Sequence, residues 1–238
     1  MVKYPRPSYV KKRIKNAYGV AKYGYNKYAT PGMKKKGALQ VASDALAVAY
    51  SVKKLLNVEY KWVDRYQSTT IGNSTGVVLE ASQVPQGDSA NTRDGDSLKA
   101  MSLSTRIHLA RHGSDSNTLV RCMLVKILGK NNAAGGMDAS VANLLQTGTP
   151  SYVTSFRNKD NTKDFQVLVD KCVMLTSGHN AACLEIHKDF NNCHIKYSSS
   201  DTNGTSCEYG SLWWVFVSNQ GTYTPTLNVQ TRINFIDN

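Results

Sequence analysis

Between positions 38 and 56 the apolar residues fall at helical spacing, with Val41, Ala45, Val48, Val52 and Leu55 separated by four, three, four and three positions along one face. Leu39, Ala42, Leu46 and Ala49 widen that stripe, so the predicted helix is expected to bury against the body of the protein or a neighbouring subunit. Lys53 and Lys54 near its end suit the negative pole of the helix dipole. After Val58 the period changes to that of strands. Aromatic and β-branched runs between turn clusters predict strands at 59–66, 76–81, 98–110, 119–128, 165–175, 182–187, 194–198, 211–217 and 227–236. Eight or nine strands with no interleaved helices imply an antiparallel sandwich or barrel.

Alternation assigns faces. Phe165, Val167 and Val169 are expected to share one face of their strand, and Leu227, Val229, Thr231, Ile233 and Phe235 one face of the last. The run Leu212-Trp213-Trp214-Val215-Phe216-Val217 is apolar on both faces. Such a strand is covered twice, by a second sheet and the amino-terminal helix or by a neighbouring subunit, although a buried central strand in a monomer accounts for it equally well. The joins 83–95 and 129–164 exceed hairpin lengths and should form surface loops, with a short helix near 141–145.

Charge divides the chain differently. Eleven of the twelve net positive charges lie in the first 36 residues: Lys3, Arg6, Lys11, Lys12, Arg13, Lys15, Lys22, Lys27, Lys34, Lys35 and Lys36, with no acidic residue among them. Eighteen of the 29 basic residues remain beyond position 36, against all 17 acidic ones, so the rest is close to neutral. The organisation expected is a basic arm over 1–36, an amphipathic helix over 37–57 and a strand-built domain over 58–238. A stretch of like charges that buries little apolar surface usually meets a polyanion. Tyr4, Tyr9, Tyr18, Tyr23, Tyr25 and Tyr28 are interleaved with these cations. Rings can stack on unpaired bases while cations follow phosphates, which favours single-stranded nucleic acid; an adhesive tail is the plainer alternative. Lys11, Lys12, Arg13 and Lys15 also form a short cluster of the kind nuclear import receptors bind.

Other chemistry is sparse. The best apolar run, 38–52, contains Gln40, Ser43 and Asp44 and falls short of the ~20 residues that cross a bilayer, so no membrane partner is expected. No secretory signal is expected either. Cys122, Cys172, Cys183, Cys193 and Cys207 are odd in number and unpaired in spacing, which suggests free, mostly buried thiols in a reducing compartment. Ser74 lies in a Gly-x-Ser-x-Gly stretch, but a nucleophile elbow requires a helix after it, and Val77-Val78-Leu79 reads as strand. His108 and His112 are four apart in a predicted strand, too far for a metal pair. Cys183, His187, Cys193 and His194 could gather around zinc if a hairpin joined their two predicted strands. Asp88, Asp94 and Asp96, with Gly87 and Gly95, make an acidic loop that could hold calcium if neighbouring chains added oxygens; turn formation explains them as well. Nothing here argues for an enzyme or a cofactor.

Three segments carry a resemblance: Arg93-Asp94-Gly95-Asp96-Ser97-Leu98-Lys99 opening a long strand, Phe165-Gln166-Val167-Leu168-Val169-Asp170-Lys171, and the aromatic run 212–217. In their order, behind a basic arm and a short helix, they make the chain resemble capsid proteins of small viruses with circular, Rep-encoding single-stranded DNA genomes, and more distantly the shell protein of satellite tobacco necrosis virus. The resemblance implies an all-β, eight-stranded antiparallel viral jelly roll of two packed four-stranded sheets. It also implies a 60-subunit T=1 icosahedral shell, arms directed inward onto a single-stranded DNA genome, and residence in the virion and, during assembly, in the host nucleus. Lys11, Lys12, Arg13, Lys15, Lys34, Lys35 and Lys36 would double as import signals. Many such arms are dense in arginine, whereas this one favours lysine and tyrosine, which leaves a single-stranded RNA satellite capsid open. The alternative outside viruses is a β-sandwich binding module, carbohydrate- or cytokine-like, with a basic targeting tail.

Overall fold

The computed structural model describes residues 37–55, 59–130, 139–146, 151–198 and 207–237. The chain divides between Asn57 and Val58 into two units. In the first, helix α1 spans Ala38–Leu55, as the spacing predicts. Leu46 and Val48 on it are each 60 % exposed.

The second unit is built from β1 (Tyr60–Thr70), β2 (Val77–Glu80), β3 (Ser97–Ala110), β4 (Asn117–Ile127), the one-turn helix α2 (Val141–Leu144), β5 (Phe165–Thr176), β6 (Ala181–Tyr197), β7 (Cys207–Tyr209), β8 (Leu212–Ser218) and β9 (Thr226–Asp237). Antiparallel pairing is nested: β1 with β9, β2 with β8, β3 with β6, β4 with β5. The chain is thus one long ribbon folded back at the β4–β5 connection. Wrapping that ribbon brings β9 beside β3 and β8 beside β4, which closes two sheets of order β1-β9-β3-β6-β7 and β2-β8-β4-β5. This is the jelly-roll sandwich. One sheet has five strands rather than four, because the short β7 adds to β6.

Two clusters hold the sandwich. Between the sheets, Leu98, Leu103, Ile107 and Leu109 of β3 and all five expected residues of β9 are buried. Trp214 lies across them, stacked on Phe216 at 5.8 Å, with its indole N–H donating to Thr105 Oγ1 at 3.1 Å, so its one polar atom costs little to bury. On the other face of β8 and β4, Val215, Val217, Met123 and Val125 meet Val141, Leu144, Leu145 and Val153. The doubly apolar run 212–217 is therefore covered by the opposite sheet and by the β4–β5 connection. Arg121, buried on β4, fastens that cover. It donates to both oxygens of Asp170 at 2.8 Å and to the Ser155 carbonyl at 2.6 Å.

Two details depart from simple alternation. A register shift opposite Leu124 and Val125 inserts a residue into β5, so Phe165 and Val167 pack in the outer cluster while Val169 packs against the inter-sheet core. The shared face expected of these three residues is thereby broken. The strands expected at 182–187 and 194–198 are one continuous strand, β6, bulged so that residues 190–192 lie opposite a single residue of β3 between the Ala100–Cys193 and Ser102–Asp189 pairs.

Candidate nucleic-acid interface

All seventeen basic and aromatic residues singled out in the arm, Lys3 to Lys36, lie outside the described residues, as do the import clusters built from them. Within the sandwich, the four-stranded sheet has the outer face of β8 and of the adjoining part of β4 covered by the β4–β5 connection. The outer face of the five-stranded sheet is different. Along the edge strand β1, Lys61 and Val63 point into the sandwich, so period-2 alternation turns Tyr60, Trp62, Asp64 and Tyr66 outward. Tyr60, Trp62 and Tyr66 are 72 %, 47 % and 67 % exposed. Such large rings on one face of one strand carry more apolar surface than scattered exposed residues would.

Apart from Ile236 opposite Tyr60, the neighbouring strands present polar groups beside this row. Asn234, Arg232 and Gln230 of β9 stand opposite Trp62, Asp64 and Tyr66, and Ser102, Ser104 and Arg106 of β3 follow in register. Arg232 makes a two-pronged ion pair with Asp64 at 2.6 and 2.5 Å, which holds the Asp64 carboxyl below the usual carboxylate range through the hydrogen bonds it receives. The guanidinium of Arg106 reaches Glu185 at 3.3 Å. Between these pairs is a depression of about 300 Å³, lined also by Ser104 and Gln230. Tyr66 donates its hydroxyl proton to Asn228 Oδ1 at 3.1 Å, and Asn234 donates to Ser102 at 2.8 Å, so the row and its surroundings are tied to the sheet.

The chain is similar to solved virus structures at low identity. That of Broad Bean Stain Virus shares 16 % identity over 74 % of this chain and 84 % of that chain, with a TM-score of 0.27. Mud crab tombus-like virus shares 13 % over 76 % and 82 %, at 0.32. The BFDV capsid protein, crystallised as a decamer, shares 8 % over 76 % and 100 %, at 0.33. No protein-family model and no curated protein matches. At these values no residue takes a role from the likeness.

The remaining candidates separate. Ser74 lies in the β1–β2 turn, followed by strand β2 as the sequence reading requires. His108 stands on β3, while His112 lies beyond that strand and stacks on Tyr223 at 5.2 Å. Cys183, His187, Cys193 and His194 are all on β6, so the hairpin that would gather them around zinc is absent, and Cys193 is buried while Cys183 is exposed. Cys122 and Cys207 are also buried, Cys172 is exposed, and all five thiols are free. Asp94 and Asp96 turn toward cations: Asp94 to Lys61 at 2.8 Å, Asp96 to Arg93 at 3.7 Å. Asp88 does not join them, and no cluster among the described residues could hold a metal.

Two cations in this loop region escaped the sequence reading. Lys61 is buried among Asp94, Asp237 and Glu59; burial alone would depress its pKa, but hydrogen bonds to Asp94 and Asp237 prevail and raise it to about 12. Arg93 is fully buried, its guanidinium 4.1 Å above the Tyr197 ring, donating to the carbonyls of Val84 and Gly95. Alternation along β1 would have placed Lys61 inward beside Val63. No local pattern marks Arg93 as buried, since beyond the neighbouring Gly95 and Asp96 it covers the ring of Tyr197 on β6.

Proposed function

We propose that this chain is the capsid protein of a small virus, whose copies assemble into a 60-subunit T=1 icosahedral shell and package single-stranded DNA through residues 1–36. The observation that carries the reading is the joining of a jelly-roll sandwich to an acid-free arm holding eleven of the chain's twelve net positive charges. Such a body supplies a rigid tile, and the arm neutralises phosphate. Exposed Phe156, Met174 and Leu128 leave apolar surface on the sandwich for neighbouring copies.

The charge is of the right order. Sixty arms of eleven charges neutralise about 660 phosphates, with counterions balancing the remainder of a longer genome. An arm of 36 residues spans at most ~120 Å extended and about 30 Å as a coil, enough to reach into a small shell. Lys11, Lys12, Arg13 and Lys15 would first deliver the protein to the nucleus for assembly. The test is electron microscopy of the purified full chain with digestion of its contents by DNase and RNase. Particles of about 60 subunits with contents lost only to DNase after opening support the proposal; RNase-sensitive contents would reassign the genome, and monomers or trimers alone would overturn the capsid reading.

A further inference from the structure

We infer that the outer face of the five-stranded sheet is a second nucleic-acid site, a platform on which the rings of Tyr60, Trp62 and Tyr66 stack unpaired bases. The inference rests on the reading of the chain as a protein that packages a single-stranded genome, and deepens it by assigning phosphates to the arm and bases to the sheet.

Geometry comes first. Tyr60 and Trp62 are two residues apart on one strand, about 7 Å, and Tyr66 lies about 14 Å further along the same face, so the row runs roughly 20 Å. All three rings are open to solvent, and Tyr66 is held in place through its hydroxyl. Successive bases of one strand can lie along such a row, since every base has a π-face and stacking is indifferent to sequence.

The surroundings select the occupant. A patch built to take another protein would continue the apolar surface into the next strand, because the centres of protein interfaces are depleted in charge. Here only Ile236, opposite Tyr60, is apolar; the positions opposite Trp62, Asp64 and Tyr66 are Asn234, Arg232 and Gln230, an amide, a guanidinium and an amide. The depression beyond them, about 300 Å³, is flanked by the Asp64–Arg232 and Glu185–Arg106 pairs. Guanidinium, carboxylate and amide groups side by side offer the donors and acceptors that base edges require. The paired charges cancel. This face therefore suits bases rather than phosphates, which are left to the lysines of the arm.

That division gives the experiment. Binding of a labelled 20-nucleotide oligothymidylate to the full chain is followed by fluorescence anisotropy at several salt concentrations, with circular dichroism and electron microscopy of each variant as controls of folding and assembly. Trp62→Ala should weaken binding by about 5- to 150-fold, the range of one lost base–ring stack, without changing the slope of log affinity against log salt. Trp62→Phe should restore most of the loss, and Tyr66→Ala should act like Trp62→Ala. A folded Trp62→Ala protein that binds within twofold of wild type overturns the platform while leaving the arm's role intact. Unchanged binding with lost particle formation overturns it too, and makes the row a contact between subunits. Failure of the wild-type chain to bind at any salt concentration removes the platform together with the packaging function.

Discussion

Glu80 closes β2 at the rim of the four-stranded sheet, paired in register with Trp213, and its carboxylate accepts a hydrogen bond from Ser82 Oγ at 2.9 Å. Burial raises its pKa from 4.5 to about 7, a shift that the Ser82 hydrogen bond and the nearby Arg65 reduce but do not cancel. The unfolded chain ionises near 4.5 and the folded chain near 7, so between those values the folded state binds more protons. Stability must then fall as pH rises through this window. No cost is present below about 4.5, and the full cost is present above about 7. At 1.36 kcal/mol per unit, that cost is about 3 kcal/mol, to order of magnitude. Glu80→Gln keeps an acceptor for Ser82 and removes the ionisation. Urea unfolding of both proteins at pH 5 and pH 8 reads the effect. The variant should gain up to about 3 kcal/mol on wild type between those values, roughly 1 M in the urea midpoint at pH 8. A stability difference that is the same at both pH values would refute the reasoning.

Asp170 carries the opposite sign. Hydrogen bonds from Arg121 chiefly, then from Arg157, hold its carboxyl below the usual range against the effect of burial, so its contribution is present at neutral pH and lost as pH falls through the lowered value. Asp170→Asn should therefore destabilise at pH 7 and lose its effect in acid, with limited proteolysis showing the β4–β5 connection cut first. Arg93→Lys retains the charge but loses the planar fork over Tyr197 and the donors to the Val84 and Gly95 carbonyls; a loss of about 2–4 kcal/mol in urea unfolding is expected. Gly210 has φ +72°, and a Cβ there would meet the His194 carbonyl oxygen, so Gly210→Ala should cost more than about 1 kcal/mol and lower the melting temperature, whereas Gly113→Ala, in open space, should not.

How much of this was legible in the residues varied with the range of the interaction. Period-2 alternation in β9 and the doubly apolar run in β8 are local signals, and both led to the right burial. The bulge in β5 was not visible, because its cause is the register against β4, a property of two strands at once. The interruption between 187 and 194 is a bulge within one long strand, residues 190–192 standing opposite a single residue of β3, again a property of two strands at once. β7 is three residues long and too short to carry a period. Among site residues, the aromatic row of β1 could have been found, since Tyr60, Trp62 and Tyr66 alternate with Lys61, Val63 and Arg65. Which of the two sets faces outward needed the sheet. Arg93 became meaningful only once Tyr197, more than a hundred positions away, lay beneath it.

The central claim is that residues 1–36 hold a single-stranded genome inside a shell tiled by the sandwich. Nuclease-protected nucleic acid per particle, measured for the full chain and for a chain lacking residues 2–36, tests it most directly. The account predicts particles of about 60 subunits rich in protected single-stranded DNA for the first, and a folded protein retaining little nucleic acid for the second. Truncated particles holding as much as the full chain would contradict it.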